Sequence, residues 1–332
     1  MYHSFKAFMN GLIDYAGLFP PARLSLEEAF DRFLAYQEHP SGWILSHFIC
    51  PARLLPKLIT YRKILQEKEI KPFLTVLPDS DKTPGVYLRA FEKNIQKLDE
   101  FLQRMDQWVN IGAFEFRIPS EFLADKTFPP LHEFFLAIHE KIKQVGIQHP
   151  KLFFELHKSG KWLKYVDLFA KEIERFNELI LDNEFSELSG IAGLKLRCGG
   201  ESPEIFPSGD EISVVLSACS ARRIPFKATA GLHHPIRQFN LSVQHMMHGF
   251  LNVFCAAMLT FHHRLSKDQI LTILNEENPG KFLFTDDHFR YGDWILTTPD
   301  IQQLRAKYIK SFGSCSFEEP REDLITLGLL EE

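Results

Sequence analysis

No two cysteines in this sequence are spaced as CxxC, and the five present (Cys50, Cys198, Cys219, Cys255 and Cys315) are scattered. An odd, dispersed set argues against a disulfide framework and fits a reducing compartment. No strongly apolar stretch is longer than Val253–Phe261, far short of a bilayer span. The first twenty residues are interrupted by Lys6, Asn10 and Asp14, which makes a poor signal peptide. No low-complexity tract and no convincing linker divides the chain. Charge of one sign is also missing: the formal net charge is -5 and the isoelectric point near 6.3. That balance gives no reason to expect nucleic acid or a membrane surface as partner. These absences together describe a cytoplasmic protein acting on a small molecule, with a homo-oligomer left open.

What is present is an ordinary globular composition, 45% hydrophobic and 24% charged over 332 residues, with 31 phenylalanines. Phenylalanine at that density implies thick aromatic packing between layers. Short β-branched or aromatic runs recur about every 25 to 40 residues, with amphipathic helical stretches between them. The runs are Trp43–Phe48, Pro72–Leu77, Ala113–Ile118, Lys151–His157, Gly193–Arg197, Pro225–Thr229 and Phe250–Phe254, preceded by a weaker one near Leu12–Leu18. The helical stretches include Leu26–Gln37, Val86–Met105, Pro130–Val145, Lys161–Glu178 and Asp210–Ala221. Such alternation predicts parallel βαβ units, and eight of them close a (β/α)8 barrel, a TIM barrel of the α/β class. A doubly wound open sheet competes, but the chain has no GxGxxG fingerprint after its first run or later. The barrel is assigned to residues 1–280. Residues 281–332 break the rhythm and read as a C-terminal extension packing on it, with a helix at Pro299–Lys310 and a turn-like Phe312–Pro320.

Alternation places Glu115 and Arg117 on one face of the fourth run and Glu155 and His157 on one face of the fifth. Lys195 and Arg197 share a face of the sixth, and Lys227 and Thr229 a face of the seventh. Strands buried on both faces normally read as continuous Val/Ile/Leu runs. Ionisable groups near the ends of four consecutive strands therefore suggest an active site at the C-terminal mouth, set against a purely structural ion network. Two lysines on adjacent strands each raise the cost of charging the other, which frees one amine for attack on a carbonyl. Glu155 and His157 could move protons, and Arg117 or Arg197 could hold a carboxylate or phosphate. Asp14 and Tyr15, in the turn of the first run, add a carboxylate and a phenol to the same mouth.

The motifs GAFEFR (Gly112–Arg117), KLFFEL (Lys151–Leu156), GLKLRCGG (Gly193–Gly200) and PFKATAGL (Pro225–Leu232) occur in the order seen in deoxyribose-phosphate aldolases. The chain resembles these class I aldolases over about a third of its length. The resemblance implies a (β/α)8 barrel, Lys195 as the Schiff-base lysine and Lys227 as the lysine that perturbs it. It also implies two departures. The family's acidic residue at the end of strand four falls on Arg117, and its phosphate-binding turn at strand eight is replaced by HGFLN (His248–Asn252). Over the whole chain, GLIDYAGLFPPA (Gly11–Ala22) with FKATAGLHHP (Phe226–Pro235) is similar to a bacterial family without assigned function.

His233 and His234 follow the seventh run directly, and His245 and His248 come soon after. With His157 and Glu155 they could ligate a divalent metal, but they match no fixed-spacing zinc signature, and hydrogen bonding to substrate is the favoured role. Gly199-Gly200 and Thr229–Gly231 lie at strand ends, where backbone N–H groups can bind an anion or simply make a tight turn. Cys198 reads as a small buried thiol, and His262-His263 as surface residues. Three functions are thus expected in competition. The first is a lyase-like enzyme using Schiff-base chemistry on a small oxygenated carbonyl compound, without cofactor. The second is a metal-dependent lyase, hydrolase or isomerase with His157, Glu155 and His233 or His234 as ligands. The third is a non-catalytic barrel binding a small anion through Arg197 and Lys227.

Overall fold

The structure of the protein, a computed structural model, describes residues 1–80, 83–119, 121–124, 130–147, 149–158, 160–184 and 192–331, and its strands are numbered from the N-terminus. In chain order they are β1 (Ile13–Tyr15), β2 (Leu45–Pro51), β3 (Phe73–Leu77), β4 (Asn110–Ile118), β5 (Leu152–Leu156), β6 (Ala192–Arg197) and β7 (Phe226–Thr229). They continue with β8 (Gln238–Asn240), β9 (His245–Met247), β10 (Leu283–Phe284), β11 (His288–Tyr291), β12 (Trp294–Thr297) and β13 (Ile309–Ser314). Eight of them close a barrel in the order β1-β13-β7-β6-β5-β4-β3-β2, and its pairings are parallel. The remaining strands form an antiparallel pair, β8 with β9, and a three-stranded antiparallel sheet, β10-β11-β12. This is the TIM-barrel architecture of the α/β class. Among the described residues no helix is long and apolar enough to cross a membrane.

The last barrel strand is not where the sequence suggests. Phe250–Phe254 opens a helix, Phe250–His263, whose residues from Phe250 to Phe261 are all buried. A helix that is apolar all round shows no amphipathic period, so its first turn imitates a buried strand. The eighth barrel strand is β13, which lies inside the segment read as an extension. The helix expected at Pro299–Lys310 is present at Thr298–Lys307, and it leads directly into β13.

The remaining helices follow their sequence signals. Leu26–Glu38 buries Leu26, Ala29, Phe30, Phe33 and Leu34, and the Ser25 hydroxyl accepts a hydrogen bond from the Glu28 N–H at 3.1 Å. Gly209–Arg222 begins with a reciprocal capping box between Ser208 and Glu211. Each cap contributes about 1 kcal/mol by satisfying a helix N–H that would otherwise lack a partner.

The chain divides into two compact units: Met1–Leu24, Ala35–Ser46 and Leu196–Glu332 form one, and Ser25–Leu34 with His47–Lys195 the other. In the second unit phenylalanines fix which strand face meets helix. Phe116 packs against Phe91 and stacks with Phe154, and Phe154 stacks on Phe135 with ring centroids 3.8 Å apart. Phe91 and Phe135 are helical residues, so Phe114, Phe116, Leu152, Phe154 and Leu194 face the helix layer. Alternation then turns Glu115, Arg117, Phe153, Glu155 and Lys195 to the inward face. In the first unit Phe226 and Phe312 both contact Phe254, and Phe312 also stacks on Phe250. Lys227, Thr229, Ser311 and Gly313 take the opposite, inward face. The charged residues are inward because the larger aromatic surface of each strand is spent on the helices outside.

Candidate functional site

Strand register brings three of the singled-out residues of the second unit to one level. Arg117 pairs with Glu155 across β4 and β5, and Glu155 pairs with Lys195 across β5 and β6. The Lys195 side chain then reaches back. Its Nζ lies 2.8 Å from Glu115 Oε2 and 3.0 Å from Glu155 Oε2. All three are buried, with 5% of Lys195, 4% of Glu115 and 3% of Glu155 exposed. One ammonium thus faces two carboxylates. Burial of charge costs several kcal/mol per ion unless it is compensated, so these contacts are a condition of the fold as well as a chemical opportunity.

At the end of β4 Arg117 is exposed and donates from Nε to His157 Nδ1 at 3.1 Å and from Nη2 at 2.5 Å. A guanidinium only donates, so Nδ1 must present its lone pair and His157 is held as the neutral imidazole. Tyr87, fully buried on the helix Pro84–Met105, donates from its hydroxyl to the Arg117 carbonyl at 3.3 Å. Burial, and after it the Glu155 carboxylate, push the Tyr87 phenol far above its ordinary range. It is therefore a donor and not a base.

The first unit carries a second buried cluster. Lys227, 1% exposed, is hydrogen-bonded to Asp14 Oδ2, and the Ser311 hydroxyl donates to the same oxygen at 3.0 Å. Register explains the meeting: Asp14 pairs with Gly313 and Gly313 with Thr229, so Ser311 and Lys227 lie one inward step earlier on their strands. Arg305 donates to the carbonyls of Asn10 and Ile309, both at 2.8 Å. Its burial brings it down to about 10, opposed by the charge of Asp14. Sequence reasoning found Asp14 and Lys227 but missed Ser311, because β13 was read as part of an extension. It missed Tyr87 because nothing distinguishes that residue from the core positions of its helix.

Thr229 is buried, and its carbonyl accepts the Cys198 N–H at 2.8 Å. Here the glycines serve close approach of backbone to backbone. A Cβ on Gly199 would lie 2.6 Å from Gly231 Cα, and one on Gly231 would lie 2.6 Å from the Cys198 carbonyl oxygen. Cys198 is fully buried, as its sequence setting suggests. Arg197, the last residue of β6, is half-buried.

The histidines after β7 are engaged elsewhere. His233 Nδ1 lies 2.9 Å from Glu319 Oε2 and His234 Nδ1 2.6 Å from Asp323 Oδ2, both acids on the helix Glu318–Thr326. His233 in turn holds Glu319 below the usual carboxylate range. His248 donates from Nε2 to the Pro207 carbonyl at 2.9 Å, and burial lowers its basicity. His262 and His263 are exposed. Among the described residues no group of three or more His, Cys, Asp or Glu side chains is gathered as metal ligands. The ligand set expected from His157, Glu155 and His233 or His234 is therefore not assembled.

The protein is thus an α/β barrel of the TIM-barrel architecture, with a Lys–Glu–Glu cluster in one unit and a Lys–Asp–Ser cluster in the other. No protein-family model matches the chain, and no curated protein matches it either.

Proposed function

We propose that the protein is an enzyme that forms a Schiff base between Lys195 and a small oxygenated carbonyl compound, with lyase chemistry of the class I aldolase type. The single observation carrying this reading is the contact of one buried amine with two carboxylates, at 2.8 and 3.0 Å. Proton transfer from the ammonium to either carboxylate leaves a neutral amine and a neutral acid, removing two opposite charges from a dry site. The amine attacks the carbonyl carbon, and the resulting hydroxyl leaves as water after taking a proton from the acid. The iminium so formed accepts the electron pair released when a neighbouring C–C or C–H bond breaks. The second carboxylate stays ionised and stabilises the positive charge of the iminium.

This route differs from activation by a neighbouring ammonium, because Lys195 and Lys227 each have acidic partners of their own. The likeness of four short motifs to deoxyribose-phosphate aldolases supports the choice of Lys195 as nucleophile. Borohydride reduction in the presence of a panel of aldehydes and ketones tests it. The expected result is a covalent adduct mapped to Lys195 by peptide mass spectrometry and absent from Lys195→Met. An adduct on another lysine, or none across the panel, overturns the reading.

A further inference from the structure

Arg117 stands apart from the other charged residues on the inward face of β4 to β6. Glu115, Glu155 and Lys195 are buried and mutually paired, whereas Arg117 is exposed and, among the described residues, no carboxylate lies within ion-pair distance of it. Its partner is the neutral His157, which contributes no compensating charge and takes up the Nε and Nη2 side of the fork. An orienting group that leaves a cation unneutralised is what a receptor for an anion requires. A carboxylate partner would fix the guanidinium equally well but would cancel its charge. The Tyr87 hydroxyl adds a second restraint by holding the Arg117 carbonyl.

The position of this cation relative to Lys195 sets the shape of what it can bind. Lys195 Nζ contacts Glu115, which precedes Arg117 by two residues on β4. Two strand residues correspond to roughly 7 Å, so the amine lies about that far below the strand end that carries Arg117. A ligand touching both has its carbonyl inward and its charged group at the mouth, joined by a short chain.

We propose that Arg117, positioned by His157, is an oxyanion receptor that restricts the substrate to short carbonyl compounds bearing a carboxylate or a phosphate. The inference rests on Lys195 as the carbonyl-binding amine and adds the substrate class. A charge-assisted contact of this kind corresponds to roughly 10- to 100-fold in binding.

Borohydride capture at Lys195 is compared for succinic semialdehyde against butanal, and for glycolaldehyde phosphate against glycolaldehyde. The wild-type protein should prefer the charged member of at least one pair by roughly 10-fold or more, and which pair shows it distinguishes carboxylate from phosphate. In Arg117→Gln the ratio of charged to neutral capture should fall to near unity. Arg117→Lys, which keeps charge without the fork, should retain part of it. An unchanged preference in Arg117→Gln, or none in the wild type, overturns the proposal and leaves the Lys195 reading intact. Absence of any adduct on Lys195 overturns the Lys195 reading instead. Arg117 is then decided by calorimetric titration with inorganic phosphate at low ionic strength. Binding weakened about 10-fold or more by Arg117→Gln upholds the receptor, and equal binding in the two proteins overturns it.

Discussion

Replacing Lys195 by Met leaves Glu115 and Glu155 facing the space that the ammonium occupied, both almost completely buried. Removing one partner of a buried ion pair costs about 3–5 kcal/mol, because the remaining charge loses its compensation and keeps its desolvation penalty. Here two carboxylates are left together, which places the expected loss at the upper end of that range near neutral pH. The loss should depend on pH in a defined direction. Burial and like charge both raise the affinity of the orphaned carboxylates for a proton, so the folded variant binds more protons than the unfolded chain. The penalty from these two groups is therefore smallest below about pH 4, where both states are protonated, and grows as pH rises through the raised folded value. Urea unfolding followed by far-ultraviolet circular dichroism at pH 5 and pH 7.5 measures both effects. The triple variant Lys195→Met, Glu115→Leu, Glu155→Leu is the control. It removes all three charges at similar volume and should recover most of the loss. A single variant as stable as wild type at pH 7.5, or a deficit that does not shrink on acidification, would refute a buried and mutually compensated cluster.

Two further outcomes follow from other parts of the molecule. Gly199→Ala should destabilise by about 2–3 kcal/mol, since its Cβ would meet the Gly231 backbone at 2.6 Å and neither loop can yield cheaply. Gly85→Ala, whose Cβ meets nothing nearer than Arg89 Nη1 at 3.8 Å, should be neutral or slightly stabilising, and equal thermal midpoints for the two would contradict the close approach. Glu319 is held low by His233, so its contribution is present above the ordinary carboxylate range and is lost as pH falls through the lower folded value. His233→Gln should consequently move the acid unfolding midpoint to higher pH, and an unmoved midpoint would show that the pair does not tie the Glu318–Thr326 helix to the loop after β7.

Most of the barrel is legible because its strands and helices obey different periods. Residues Leu26–Glu38 and Gly209–Arg222 announce themselves by a Ser cap and a regular apolar stripe, and β3 to β7 by short apolar runs. The eighth strand is illegible for a physical reason. Its inward positions are Ser311 and Gly313, small and polar where a run of branched residues is expected, so its start reads as the end of the helix Pro299–Lys310 and its end as the turn-like Phe312–Pro320. The apolar Phe250–Phe254 takes its place in any reading by composition, although burial continues along the helix Phe250–His263 as far as Phe261. Within the site, Glu115, Glu155 and Lys195 are visible as charges two residues apart on strands that have no need of charge. Their pairing is not visible, since a lysine side chain can reach either neighbour and only register decides which. Ser311 was hidden with its strand. Tyr87 was hidden on its helix, where a hydroxyl directed at a strand carbonyl leaves no trace in an amphipathic pattern.

That pairing alters how Lys195 would have to work as the nucleophile we propose. A lysine activated by a neighbouring ammonium needs that ammonium uncompensated, and Lys227 is compensated by Asp14, which also receives the Ser311 hydroxyl. A lysine buried against carboxylates must instead give its proton to one of them, and the proton need travel no further than a hydrogen bond. Tyr87 cannot take it, because burial and Glu155 keep the phenol protonated, and His157 has its Nδ1 lone pair committed to Arg117. In the proposed mechanism the exchange therefore runs between Lys195 and the two carboxylates it touches, Glu115 and Glu155. In the mechanism we propose, Arg117 would enter at a different stage: an anion bound to it would bring negative charge toward two carboxylates, favouring their holding the proton and leaving the amine neutral when the carbonyl arrives.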